Sequence, residues 1–122
     1  MAQKIQNTIT CPPKPKLSKR DLLSRTQATE LAEIFRVLSG ETRLIMLHAL
    51  IKQAELSVTE LAEKTQLKPQ AVSNQLQRLV DQGILGRRRN GVQIFYRVID
   101  PCVMDLLEQG LCLTEDSKKR RN

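Results

Sequence analysis

The chain has 122 residues, 40% of them hydrophobic, and a formal net charge of +7. This length suits one domain with a single core, and with two Phe, one Tyr and no Trp that core must be built from Leu, Ile and Val. No apolar run approaches the roughly 18 residues of a membrane span, and the N-terminus lacks the apolar stretch of a signal peptide, so a cytoplasmic protein is expected. Residues 1–18 are polar and hold Pro12, Pro13 and Pro15, which predicts a flexible N-terminal arm. A first helix is expected over Leu17 to Thr26, with Ser18 as its cap. A firmer one runs from Gln27 to Leu38, with Leu31, Ile34, Phe35 and Leu38 at helical spacing. Ser39-Gly40 breaks it.

Glu41 to Lys52 is the most apolar helix, with Leu44, Leu47, Leu50 and Ile51 on one side. His48 shares that side and has no Cys or His three or four positions away, so it reads as a core or boundary histidine rather than a ligand. Ser57 and Glu60 form a capping-box pattern that opens a short helix, Val58 to Thr65. Gln66-Leu67-Lys68 is a turn. Pro69, suited to a first helical position, opens a helix to Gln82. Val72, Leu76, Leu79 and Val80 give that helix a core stripe. Lys68, Gln70, Ser73, Asn74, Gln77 and Arg78 lie away from the stripe, and such amides and hydroxyls can read base edges in a major groove.

After Gly83 the period becomes alternating. Residues 84–89 and 92–98 flank Asn90-Gly91, a strong signal for a two-residue hairpin turn. Arg87, Arg88, Arg89 and Asn90 lie on this hairpin and are expected to grip phosphate or the minor groove. Residues 68–97 hold six Lys or Arg and one acid. Residues 1–25 carry a like excess, six Lys or Arg against one acid, and the one that falls on the recognition helix and wing favours double-stranded DNA as partner. The resulting fold class is mainly α with a β-hairpin wing, an α+β winged helix-turn-helix of five or six helices.

Asp100 and Pro101 cap and open a last helix to about Leu113. Its stripe of Val103, Leu106, Leu107 and Leu111 exceeds what one small domain covers. A homodimer is therefore expected, through this stripe and through Leu31 and Phe35. The domain proper is residues 19–113, and residues 114–122 read as a basic disordered tail. Among five scattered glycines there is no phosphate-cradling loop. No Ser or Cys stands at recognisable spacing from a base, so an enzyme is not expected. The three cysteines, Cys11, Cys102 and Cys112, are odd in number and widely spaced, which points to reduced thiols rather than a disulfide framework or zinc finger.

Several segments together resemble one family. Leu38-Ser39-Gly40-Glu41-Thr42-Arg43-Leu44-Ile45-Met46-Leu47 is similar to the LxDxTRLxIL signature of the ArsR/SmtB repressors. Residues 55–62 resemble their metal-box segment. Residues 71–76, with Leu79 and 83–85, resemble the recognition helix and its exit, and residues 88–96 the wing. The resemblance spans about residues 27–113. It implies a homodimeric repressor that binds an imperfect inverted repeat and releases it when a metal, metalloid or thiol oxidant arrives. Two cysteines typical of the metal box are Ser57 and Thr59 here, and hydroxyls are poor ligands for soft metals. In the family's second site, on the final helices, Asp100 matches, Cys102 replaces one His, Leu113 the other, and Asp116 stands for Glu. Cys102 and Cys112, with Cys11 as a weaker third, are thus the candidate ligands for a soft ion such as As(III), Cd, Pb or Zn. Thiol oxidation, a repressor without a sensor, and a protein-interaction module are the alternatives.

Overall fold

Three of the α-helices among the described residues are opened by side-chain capping. The computed structural model describes residues 12–121. Ser24 Oγ accepts from Gln27 N and Gln27 Oε1 accepts from Ser24 N, a reciprocal box that opens α1, Arg25–Leu38. The expected helix over Leu17 to Thr26 is not formed. Only Leu17–Lys19 makes a 3-10 turn, and the chain then runs extended to Ser24, whose box supersedes the weaker cap at Ser18. The second box, Ser57 with Glu60, opens α3 as the sequence predicts.

Helix α2, Glu41–Gln53, buries Met46, Leu47 and Leu50 at the centre of the core. His48 is exposed rather than in the core, one turn along from exposed Ile45. Helix α3, Val58–Thr65, contributes Leu61 and Ala62. Helix α4, Pro69–Asp81, contributes Val72, Leu76 and Leu79. Each fully buried aliphatic side chain of this kind contributes about 1.5–3 kcal/mol.

Strand β1, Leu56–Ser57, pairs with the hairpin of β2, Leu85–Asn90, and β3, Gln93–Val98, to give an antiparallel sheet in the order β1-β3-β2. The turn lies one residue later than the sequence suggests. Asn90 pairs with Gln93, so Gly91-Val92 are the turn residues. Gly91 has φ +68° and Asn90 stays in the strand, the pattern of a glycine-first turn rather than one needing two positive φ values.

Before β1 the chain reverses sharply at Ala54, with φ 77° and ψ −56°, and Glu55 N donates to Gln53 O across it. This three-residue turn delivers Glu55 to the sheet. Its carboxylate accepts two hydrogen bonds from Arg88 of β2, both 2.8 Å, while Arg97 of β3 lies 4.0 Å away. The Arg88 guanidinium also stacks 5.1 Å over Phe95 of β3. The clamp therefore spans all three strands. The hydrogen bonds to Glu55, and then its charge, raise the Arg88 pKa above its ordinary value.

Asp100 caps α5 by accepting from Cys102 N at 2.8 Å. This helix runs Pro101–Arg121, well beyond Leu113. The segment expected as a disordered tail continues the helix as far as Arg121. Most of the expected arm, residues 1–11, lies outside the described residues.

Between α3 and α4, Gln66 adopts the left-handed conformation at φ 63° and ψ 30°. Its N–H and that of Leu67 both close on the Ala62 carbonyl, sealing the end of α3. A side chain branched at Cβ fits this conformation poorly. Gln66→Val is expected to lower stability by about 1–2 kcal/mol in chemical denaturation, whereas Gln66→Gly should leave it unchanged or higher.

Candidate nucleic-acid interface and cysteine positions

The buried stripe of α4 fixes which residues point outward. Val72, Leu76 and Leu79 face the core, so Gln70, Asn74, Gln77 and Arg78 are exposed and Ser73 half-buried. Lys68 is exposed at the N-cap. Gln70 Nε2 donates to Asn74 Oδ1 at 3.1 Å, one helical turn along. Gln77 Nε2 donates to Asp81 Oδ1, and Gln77 Oε1 accepts from Arg87 Nη1, both at 2.8 Å. The last bond joins helix and wing into one polar surface. These groups satisfy one another while solvent-exposed, and they can exchange those partners for base edges or phosphate.

Strand alternation divides the three wing arginines. Arg87 and Arg89 share one face, opposite Tyr96 and Ile94, and Arg87 reaches α4. Arg88 lies on the other face, held by Glu55. Alternation was visible in the sequence, but the position of Glu55 depends on β1, which was not expected. Asn90 and Val92 are exposed at the hairpin tip.

The family's metal-box position is occupied by capping chemistry. Ser57 is buried and its hydroxyl accepts from Glu60 N. Cys102, half-buried in the first turn of α5, is disulfide-bonded rather than the reduced thiol the sequence leads one to expect. Cys112 is a free, exposed thiol that donates weakly to Asp116 Oδ2 at 3.5 Å. Ten residues along one helix separate these two cysteines by about 15 Å. Among the described residues of one chain, no three His, Cys, Asp or Glu side chains gather as a metal site. Cys11 lies outside the described residues.

Of the expected dimerisation residues, Leu31, Phe35 and Leu111 are exposed, at 45%, 50% and 62%. Leu113 is exposed as well. Val103 is buried in the core of its own chain, and Leu106 and Leu107 pack partly against that core. No helix among the described residues is long and apolar enough to cross a membrane.

A profile of the MarR family matches residues 38–93, the helix-turn-helix and most of the wing. The crystal structure of the antimony-specific transcriptional repressor AntR superposes with a TM-score of 0.76. It shares 50% sequence identity, with 90% of this chain and 99% of that chain covered. The SmtB homolog of Synechocystis sp., a transcriptional repressor, is 36% identical over 89 residues, 73% of this chain and 67% of its own length. CadC of Listeria innocua, a cadmium resistance transcriptional regulatory protein, is 26% identical over 109 residues, 88% of this chain and 92% of its own. The MarR match covers only the winged-helix segment, whereas the repressor relatives extend over most of the chain. These relatives are transcriptional regulators rather than enzymes. The chain belongs to the ArsR/SmtB family of winged-helix transcriptional repressors.

Proposed function

We propose that this chain is a cytoplasmic, homodimeric repressor that binds an inverted-repeat operator. In this reading, the disulfide at Cys102 is reduced in the resting repressor, and soft metal or metalloid at the thiolates of Cys102 and Cys112 releases it. The observation that carries the sensing part is the arrangement of α5. Its two cysteines lie on one continuous helix, and the part bearing Cys112 is flanked by exposed Leu111 and Leu113. Such a stretch calls for a partner helix.

The donor set fits a soft ion only across two chains. Two thiolates on one ion, each at about 2.3 Å, lie no more than roughly 4 Å apart, far less than their separation along α5. Antiparallel α5 helices of two copies bring Cys102 of one level with Cys112 of the other, giving two equivalent sites. Cys11 is the candidate third thiolate of a trigonal sulfur set. The names of AntR and CadC, which refer to antimony and cadmium, support this ligand class. Oxidation is a second reading, favoured by the disulfide at Cys102, which puts that residue within reach of thiol chemistry. Both readings predict that Cys102→Ser retains operator binding and loses release. They separate in Cys112→Ser. This variant should lose the response to arsenite and cadmium, and keep the response to peroxide only if oxidation at Cys102 is the signal. Release of both variants by every agent tried would place the sensor elsewhere.

The dimer interface in this reading is the exposed apolar surface of α1 and α5, completed by Leu22 and Leu23 ahead of α1. Phe35→Glu and Leu111→Glu each bring a charge into it and are expected to give monomers in sedimentation at micromolar concentration. A wild-type-like dimer in both variants would move the interface to another surface.

For DNA, Asn74 and Ser73 are assigned to base edges, with Gln70 and Gln77 beside them. Arg87 and Arg89 are assigned to the backbone or minor groove. Asn74→Ala should cost roughly 1–3 kcal/mol on the operator and relax its specificity. Arg89→Ala should weaken binding to all duplexes and shallow the salt dependence by about one unit. Arg88→Ala should shallow it less, because Glu55 already neutralises that side chain. Equal slopes for Arg88→Ala and Arg89→Ala would show that the clamp opens on DNA.

A further inference from the structure

Little joins α1 to the rest of its own chain. Only Val37 and Leu38, in its last turn, are buried. The chain then passes Ser39 and Gly40 and enters α2, whose third residue is Arg43. Arg43 turns its guanidinium back toward α1. Its Nε donates to the Val37 carbonyl, and its Nη1 donates to Gln75 Oε1 on α4, 32 residues further along. One planar cation thus bridges the end of α1, the start of α2 and the flank of the recognition helix.

Three features mark this as a built junction. The Val37 carbonyl is one of the last four of α1, which a helix leaves without internal partners, and a cation is favoured at that end. Both hydrogen bonds are partly buried. Gly40 keeps the space open. A Cβ there would stand 3.0 Å from Arg43 Nη2 and 3.1 Å from Cζ. At φ −79° the Gly40 backbone itself admits any residue, so the guanidinium is what a side chain at this position would displace. Gln75 is half-buried on α4, between the outward Asn74 and the buried Leu76.

We propose that Arg43 is the positioning residue that fixes each recognition helix relative to the dimer scaffold. It thereby sets the separation and angle at which the two recognition helices meet successive major grooves. The proposal rests on the dimeric, operator-binding reading above. Within one subunit α4 is held by its own buried stripe, so Arg43 is not needed to form it. What Arg43 adds is the angle between α4 and α1, the helix that carries exposed Leu31 and Phe35 toward the second copy. Lysine cannot replace it, because a single ammonium lacks the planar fork that meets two fixed acceptors on different elements.

The test measures spacing preference. A symmetric duplex is first selected with the wild-type protein from a randomised pool. Duplexes are then made with one or two base pairs inserted between the half-sites, each turning one half-site by about 34° relative to the other. A duplex with a single half-site is the control. Wild-type protein is expected to lose about tenfold or more in affinity on insertion, a discrimination within the usual range of coupling between sites. Arg43→Met and Arg43→Lys should bind the selected duplex less tightly and discriminate spacing by less than about threefold, within the same range. Their single half-site affinity and their dimer mass in sedimentation should match wild type. Gly40→Ala and Gln75→Leu, which disturb the same junction while keeping Arg43, should flatten the spacing preference too, and they serve if the Arg43 variants fail to fold. Retention of wild-type spacing discrimination in folded variants overturns the proposal. An equal loss on every duplex, including the single half-site, also overturns it, because Arg43 would then act only within its own subunit. A wild-type protein indifferent to spacing would instead overturn the dimeric operator reading itself.

Discussion

The polar surface of the recognition helix exists because its other side is fully committed to the core. Val72, Leu76 and Leu79 are completely buried against α2, α3 and the base of the sheet. At 3.6 residues per turn, that commitment leaves Gln70, Asn74, Gln77 and Arg78 no direction but outward. Turning α4 would bring amides into the core without partners and aliphatic side chains into water, both costly. The hairpin follows from the same constraint. Ile84 and Leu85 are buried directly after α4, which starts β2 against the core and aims its continuation past the end of α4. Arg87 can then meet Gln77, and the wing becomes an extension of the helix surface.

What could be read from the sequence is what local chemistry decides. The Ser57–Glu60 box, Pro69 at the start of α4, the Asp100–Pro101 start of α5 and the extents of α2 and α4 are short-range, and each stands where the residues predict; the buried face of α2 does not, since Met46 rather than Leu44 and Ile51 joins Leu47 and Leu50 at the centre. The features that were not legible depend on distant partners. Strand β1 has two residues and exists only by pairing with Tyr96 and Phe95 some forty positions away. Without β1 there was no way to see that Glu55 would be carried to Arg88 and engage it. Asn90-Gly91 was a sound local signal for a turn. The register that pairs Leu85 with Val98 and Arg87 with Tyr96 moved the turn to Gly91-Val92. At the end of the chain, polar composition suggested disorder, yet α5 continues through residues with good helix propensity, such as Glu115 and Lys118.

The wing shows why net charge alone is a poor guide to a DNA-facing surface. Three consecutive arginines look equivalent in a sequence. Alternation in a strand sends Arg87 and Arg89 one way and Arg88 the other, onto a carboxylate and an aromatic ring. The charge of Arg88 is spent on joining three strands, and that clamp stiffens the hairpin that presents the other two. In the proposed operator-binding reading, Arg88 thus serves by holding the hairpin rather than by meeting phosphate.

The molecule divides unevenly between a self-sufficient centre and two helices that are only partly buried. Helices α2, α3 and α4 and the sheet bury one another, whereas α1 buries two residues of its own chain and α5 chiefly Val103. In the proposed dimer the two outer helices are packed by the second copy. This division suits regulation. A ligand that draws α5 helices together acts on the weakly anchored part of the fold and leaves the core of the DNA-binding unit undisturbed. Only a coupling of about 1–3 kcal/mol is needed to change operator affinity by one or two orders of magnitude. A coupling of that size is comparable with one or two hydrogen bonds to a charged group. A junction such as Arg43 therefore has the right energy scale to carry the signal between scaffold and recognition helix. The closely packed interior on either side, which does not deform gradually, leaves such junctions as the places where the two parts can shift.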